Sequence, residues 1–363
     1  MSKCSIISVL LASLIVLSSR HLCSCDDKND GSEARKYISW KDMDVDWRYD
    51  EKHGGVLKNG RSDQVIVVDK NGHGNTTTVQ GAVNLVPEGN NKRIKIFINA
   101  GTYRERVLVP ENKPYISFIG APRSDTIITY NVKASDKDGK GQEIGTYYTA
   151  TVDIKSDYFC AKGIIIQNTI VANGGYGQQA VALKLTGDKA VLYKVWITGS
   201  QDTLLDLKGS HYFYKCTIVG AIDFIFGNAK SLYEKCVVRS NAGVRKGAIA
   251  AHRRNDMVKD DTGFVFNNCV VTGTGKIFLG RAWGPYATIL YSRCKFDDVI
   301  NDARWSDMGH PSYTKTVTFG EHSSQGQGGH SDGRVEWSKI MSTDEIQSFW
   351  NISYIGGDQW LRL

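Results

Sequence analysis

The sequence predicts an all-β chain wound into a parallel β-helix, a solenoid in which each coil adds one rung to stacked sheets. Two observations carry that expectation. A short segment recurs as AKGIIIQN (161–168), YKVWITGS (193–200), YKCTIVGA (214–221), EKCVVRSN (234–241), NNCVVTGT (267–274) and SRCKFDDV (292–299). Across the same region helical periodicity is absent, and short β-rich runs alternate with Gly, Asn and Asp turns.

In each segment a small or apolar residue is followed by any residue and then by Ile, Val or Phe. A basic or amide residue usually precedes it. The six lead positions are Gly163, Val195, Cys216, Cys236, Cys269 and Cys294, at intervals of 32, 21, 20, 33 and 25 residues. Equal offsets on successive coils lie above one another, so these positions are expected to form one inward-facing column. A β-sandwich gives no reason for apolar residues to recur at identical offsets. The longer intervals are expected to hold loops that build a binding face.

The same register pairs two acids. GSQDTLLDL (199–207) and GAIDFIFGNA (220–229) each set one aspartate among small, amide and apolar neighbours, although acids normally sit in water. Asp202 follows Val195 by seven residues, and Asp223 follows Cys216 by seven. Equal offsets put both on one wall, about 4.8 Å apart. Two carboxyls that close titrate as a coupled pair, one protonated while the other is anionic. A lone Asp is most simply a turn residue; two in register suggest chemistry.

The remainder of the chain sets compartment and partners. Lys3, an apolar run at 6–17, Ser18, Ser19 and a short stretch to Cys25 form a signal-peptide pattern over residues 1–25, too short to span a bilayer comfortably. No later segment is apolar enough to cross a membrane, so a secreted, soluble protein is expected. Asn75 and Asn351 head glycosylation sequons on that route. Residues 26–64 make a short N-terminal extension before a body at 65–363. The net charge is +7, from 45 basic and 38 acidic residues among 363. Such a balance favours acidic polymers, yet the basic residues are scattered without a nucleic-acid motif, which argues against nucleic acid. Beyond the signal, five cysteines remain, Cys160 and the four of the column, with no zinc spacing.

Five ordered blocks then carry a resemblance. GTYRERV (101–107), QAVAL (179–183), GSQDTL (199–204), DFIFGNA (223–229) and LGRAWG (279–284), followed by a final GGDQWL (356–361), resemble the signature blocks of plant pectin methylesterases. The similarity runs from about Val65 to the end of the chain. It implies a right-handed parallel β-helix with loop excursions forming a cleft. It further implies hydrolysis of the methyl ester on galacturonate units of pectin, without cofactor or metal, by a monomeric enzyme of the cell wall. A proteinaceous inhibitor is a further implied partner. Polygalacturonases and pectate lyases share the solenoid but lack these glutamine–aspartate blocks. Residues 26–64 are too few for the inhibitor-like pro-domain of many relatives.

The resemblance also assigns roles. Asp223 is the implied nucleophile, and Asp202 the acid that protonates methanol and then the base that activates water. Gln179 and Gln201 supply neutral donors to the oxyanion, which suits a site that must keep Asp223 charged. The chain has no GxSxG elbow, so a serine nucleophile is not evident. Arg281 is expected to pair with the nucleophile, Trp283 to face a sugar ring, and Thr151 in TATV to contact substrate. QAVAL selects Gln179 over the adjacent Gln178. Three departures bear on the cleft: Ala282 stands where proline is commonest, His252 where glutamine is frequent, and residues 326–337 follow the glycine-rich block loosely. Cys216 and Cys236 occupy equivalent positions on adjacent coils, where a bond or two stacked thiols both fit. The resemblance favours the bond.

Overall fold

The computed structural model describes residues 36–45, 64–329 and 333–363. The expected signal segment, residues 1–25, and most of the expected N-terminal extension fall outside the described residues. Described strands assemble into an eleven-stranded sheet, a fourteen-stranded sheet and a two-stranded pair, with parallel pairing between them. One coil shows the rule. The chain runs through Ala190–Tyr193, turns at Lys194, continues as Trp196–Thr198, turns again around Asp202, and passes through Leu204–Asp206 to Ser210–Tyr214 on the next rung. This is a parallel β-helix. Among the described residues no helix is long and apolar enough to cross a membrane.

In-register stacking fills the interior with columns of like residues. Phe213, Tyr233, Phe266 and Tyr291 lie opposite one another on successive coils. Their rings stack with centroids 4.5, 4.6 and 4.5 Å apart. A second column holds Val195, Cys216, Cys236, Cys269 and Cys294, all buried. Its first member differs from the sequence expectation. Ile165 pairs with Trp196, which puts Ile164 in the column and Gly163 in the preceding turn. Gly163 therefore matches Lys194, Lys215, Lys235, Asn268 and Arg293, all in the left-handed region with φ between 53° and 64°. That backbone is uncommon outside glycine. Here it is secured because each of these N–H groups donates to a carbonyl of the following coil, as Lys194 does to Tyr214 (3.1 Å) and Lys215 to Glu234 (3.0 Å).

The cysteine column is a column of thiols. All five described cysteines are unbonded, so the Cys216–Cys236 bond favoured from the resemblance is not formed in this structure. Each sulfur instead donates to a carbonyl of the preceding coil: Cys216 to Leu192, Cys236 to Phe213, Cys269 to Tyr233 and Cys294 to Phe266, at 3.3–3.4 Å. Burial pushes the Cys236 thiol well above its ordinary pKa, so it behaves as a small hydrophobe.

Segments outside the coils pack against them. The helix Val79–Leu85 is capped by Thr78, whose hydroxyl accepts from Gly81 N–H, and buries Val79, Ala82 and Val83 against the core. Glu105 accepts from the first two N–H groups of that helix. The described part of the N-terminal extension belongs to the body, because Ile38–Ser39 pairs with Leu361–Arg362 and Trp40 lies against Tyr193.

A polar network is locked in the interior around Asp206. His211 donates from Nδ1 to Asp206 (2.5 Å) and from Nε2 to the Gly187 carbonyl (2.8 Å), and Tyr233 donates to the second Asp206 oxygen (2.6 Å). All three side chains are buried. Burial alone would lower the His211 pKa; the Asp206 carboxylate and the Gly187 carbonyl outweigh it, and the net shift is upward. A raised histidine adds stability that is complete below its unfolded value of about 6.5 and is lost as pH climbs through the folded value. His211→Gln is expected to cost about 3–5 kcal/mol at pH 6, the usual penalty for breaking a buried pair, and less at pH 9. Thermal unfolding of both proteins across that range checks it; a pH-independent difference would contradict the charged assignment.

Candidate active site

Asp202 and Asp223 occupy the turns that follow Trp196–Thr198 and Thr217–Gly220. Gln201 bridges to Ile222, Asp202 N–H donates to Ile222 O (3.0 Å) and Leu204 N–H to Phe224 O (2.9 Å). That register sets the two acids directly opposite each other on adjacent coils, as their equal offsets required. Both have left-handed backbones, with φ of 62° and 45°. Aspartate tolerates this conformation better than most residues, and sustained strain of this kind is common at functional sites. Gly220 makes the turn possible, since a Cβ there would come within 2.2 Å of the Phe224 Cβ.

The two carboxyls have different surroundings. Arg281 Nη1 donates to Asp223 Oδ2 at 2.9 Å, and the Asp223 side chain is 16% exposed. Its other oxygen, Oδ1, is buried and has no hydrogen-bond partner among the described residues. Burial raises the Asp223 pKa and Arg281 opposes it, leaving a value of about 6. Asp202 is pushed well above the ordinary carboxyl range, first by burial and then by the Asp223 charge, with Arg281 only partly opposing. Near neutral pH the pair is therefore one carboxylate, held and oriented by arginine, beside one carboxylic acid. This is the split needed for a nucleophile next to a proton donor.

Gln179 and Gln201 are half-buried on neighbouring coils, joined by Ala180 N–H donating to Gln201 O (3.1 Å). Among the described residues neither side-chain amide has a hydrogen-bond partner. Both keep NH₂ donors for an incoming oxygen. Gln178 is different, because its amide donates to Tyr176 O (3.3 Å). The segment bearing Gln179 is tied to the 131–149 loop by Ala134 N–H to Gln179 O and Ser135 N–H to Gly177 O, and Tyr176 OH donates to Glu143. Among the described residues no group of three or more His, Cys, Asp and Glu side chains is gathered to hold a metal ion.

Three positions fall differently from the sequence expectation. Thr151 is fully buried and its hydroxyl donates to Gln167 O (3.0 Å), so nothing of it reaches the cleft. His252 does not line the cleft either. It is buried, its Nδ1 accepts from Thr288 N–H (3.1 Å), and burial pushes its pKa down to about 3. This neutral ring organises the 284–288 segment. Ala282 is not a loop residue but the buried last residue of the strand Val270–Ala282, opposite His252. Trp283 is partly buried, with Phe226 tilted against it (centroids 6.0 Å) and the Arg253 guanidinium over its ring at 4.9 Å. Sequence reasoning passed over Phe226 and Arg253, although Phe226 lies inside the quoted DFIFGNA block.

Comparison with known proteins decides the family. A pectinesterase family model matches residues 65–358. The chain belongs to the pectinesterase family. It is 50% identical to pectinesterase QRT1 of Arabidopsis thaliana, over 98% of this chain and 97% of that protein. Putative pectinesterase 14 of the same plant is 41% identical, covering 82% of this chain and 88% of the relative. The solved pectin methylesterase from carrot superposes with a TM-score of 0.75 at 33% identity, covering 84% of this chain and 96% of that one.

Arg281 is the cation that holds Asp223 down. Replacing it with glutamine is expected to move the Asp223 titration above about 6. Carboxyl-resolved NMR titration of the two proteins measures this, and an unchanged or lowered Asp223 value would refute the assigned ion pair.

Proposed function

We propose that this pectinesterase removes methyl esters from the galacturonate units of pectin through a covalent aspartyl intermediate, acting outside the cell on the wall polymer. The observation that carries the mechanism is an arginine-held Asp223 set directly opposite an Asp202 whose carboxyl is raised by burial and by the Asp223 charge. The Asp223 carboxylate attacks the ester carbonyl carbon. The developing oxyanion accepts from the free amides of Gln179 and Gln201, neutral donors that stabilise it without quenching the nucleophile. The tetrahedral species collapses, the ester C–O bond breaks, and Asp202 gives its proton to the departing methanol. An anhydride now joins substrate and Asp223.

Water completes the cycle. Asp202, now a carboxylate, takes a proton from water as the water oxygen attacks the anhydride, and Asp223 leaves as carboxylate. Asp202 is again protonated and the polymer carries a new free acid. One group serving as acid and then as base fits its raised pKa in the resting site. Secretion is supported by the N-terminal sequence pattern, and the positive net charge suits an acidic wall polymer. A cleft enzyme of this kind also suits capture by a proteinaceous inhibitor.

Methanol release from methylated pectin, without new reducing ends or unsaturated products, is the expected outcome and separates this activity from chain cleavage. Asp223→Asn should fold and release no methanol, since an amide of the same size is a poor nucleophile. Asp202→Asn should lose roughly 10²–10⁴-fold, the usual worth of acid–base assistance; a loss below tenfold would remove its role. Activity should rise through pH about 6 as Asp223 ionises and fall at higher pH as Asp202 loses its proton. A profile that is flat across pH 5–7 would count against the ionisation scheme.

A further inference from the structure

The two turns that carry the acids each open on a glycine, Gly199 and Gly220. These stand opposite each other, because Thr198 pairs with Val219 and Gly199 N–H donates to Val219 O (3.1 Å). Neither has the positive φ that would call for glycine. Space explains both. A Cβ on Gly199 would lie 2.7 Å from Thr203 Oγ1 and 3.1 Å from its Cγ2. A Cβ on Gly220 would lie 2.7 Å from the same Oγ1 and 2.2 Å from Phe224 Cβ. One side chain, Thr203, therefore occupies space that a side chain on either turn would need.

Thr203 is itself held from both sides. Its carbonyl accepts from Ala182 N–H (2.8 Å) on the coil before, and Leu204 N–H, next along the chain, donates to Phe224 O (2.9 Å) on the coil after. Pairing of Leu183, Leu204 and Ile225 places Ala182, Thr203 and Phe224 in one column, which Ile249 continues. All four are buried. Thr203 is the polar member of that column, and its hydroxyl has no hydrogen-bond partner among the described residues. Without a partner, the hydroxyl gives the folded state nothing that a methyl would not. What the site uses is the branched shape, which is stiff at χ1.

We infer that Thr203 is a positioning residue, a wedge whose branched side chain sets the spacing of the Asp202 turn against the Asp223 turn and thereby the separation of the two carboxyls. Fully buried, it acts through those turns and not on the substrate. The inference rests on the reading of Asp202 as acid and Asp223 as nucleophile. Glycine backbones are the most permissive in a chain, so two of them opposite each other would leave both acid-bearing turns loose. A stiff body between the glycines removes that freedom. Donor and nucleophile must keep one geometry through both halves of the reaction, and a misplacement of about 1 Å can cost on the order of a hundredfold in rate.

The test compares wild type with Thr203→Ala, Thr203→Val, Gly199→Ala and the double variant Gly199→Ala/Thr203→Ala. In Thr203→Ala the wedge is gone: kcat for methanol release from methylated pectin should fall about tenfold with KM little changed, since loosened geometry weakens the transition state more than binding. The same variant should let Asp202, whose charged neighbours are Asp223 and Arg281, titrate nearer the ordinary carboxyl range in carboxyl-resolved NMR. Thr203→Val keeps the branched shape and should restore both readouts. Gly199→Ala drives a Cβ against Thr203 and should lose more than Thr203→Ala. The double variant puts the new methyl into the vacated space and should recover part of that loss. A Thr203→Val protein as impaired as Thr203→Ala, an unaffected Thr203→Ala, or a double variant no better than Gly199→Ala overturns the proposal. If wild type releases no methanol while the Asp202 titration still depends on the residue at 203, the esterase reading is refuted and the wedge stands.

Discussion

Hydrogen bonds between equivalent backbone positions of adjacent coils, about 4.8 Å apart, set where every side chain in this molecule meets its neighbours. Because pairing is parallel and in register, a residue type that recurs at one offset becomes a column. Inside, this yields the ring stack from Phe213 to Tyr291 and the thiol column from Cys216 to Cys294. At the turns it lines up the left-handed positions occupied by Lys194, Lys215, Lys235, Asn268 and Arg293. On the cleft wall it yields two aspartates that have no alternative but to face each other. The same few hydrogen bonds therefore account for the core and for the chemistry.

What distinguishes the two acids is their access to one cation. Both are pushed upward by burial, but Arg281 touches only Asp223. A small asymmetry in placement becomes a division of labour, since each pKa unit between the carboxyls is worth about 1.4 kcal/mol. The position of Arg281 is itself a product of the stack. It comes from a strand two coils beyond Asp223 and reaches back because Ala251 holds it in register with the strand that follows Asp223.

Around this centre the structure devotes polar groups to fixing loops. Thr151 binds Gln167, His252 binds the Thr288 amide, and Gln178 binds Tyr176, each inside or against the cleft wall. Among the described residues, Asp223 Oδ1 and the side-chain amides of Gln179 and Gln201 are some of the groups left without an internal partner. In the proposed mechanism the two amides take the developing oxyanion, because an enzyme gains most from donors already aimed at the charge that develops.

Much of this was legible in the amino-acid sequence, because a solenoid converts sequence offset directly into spatial neighbourhood. The coil, its column of cysteines and the Asp202–Asp223 pairing all follow from recurrence, and the ordered blocks singled out Gln179, Gln201 and Arg281. One residue of register was misread at the first segment, where a glycine stands at the left-handed turn and imitates the small lead residue of the column; only strand pairing shows Ile164 in that place. Burial and hydrogen-bond commitment were beyond the sequence. A threonine or histidine in a motif looks the same whether its polar atoms face a cleft or are spent on backbone, as those of Thr151 and His252 are. Whether Cys216 and Cys236 bond or stack was also open at equal offset, and here each sulfur faces a carbonyl of the coil before it. The contact of Arg253 with Trp283 was invisible for another reason: it exists only once the 252–253 and 283–284 segments are folded side by side.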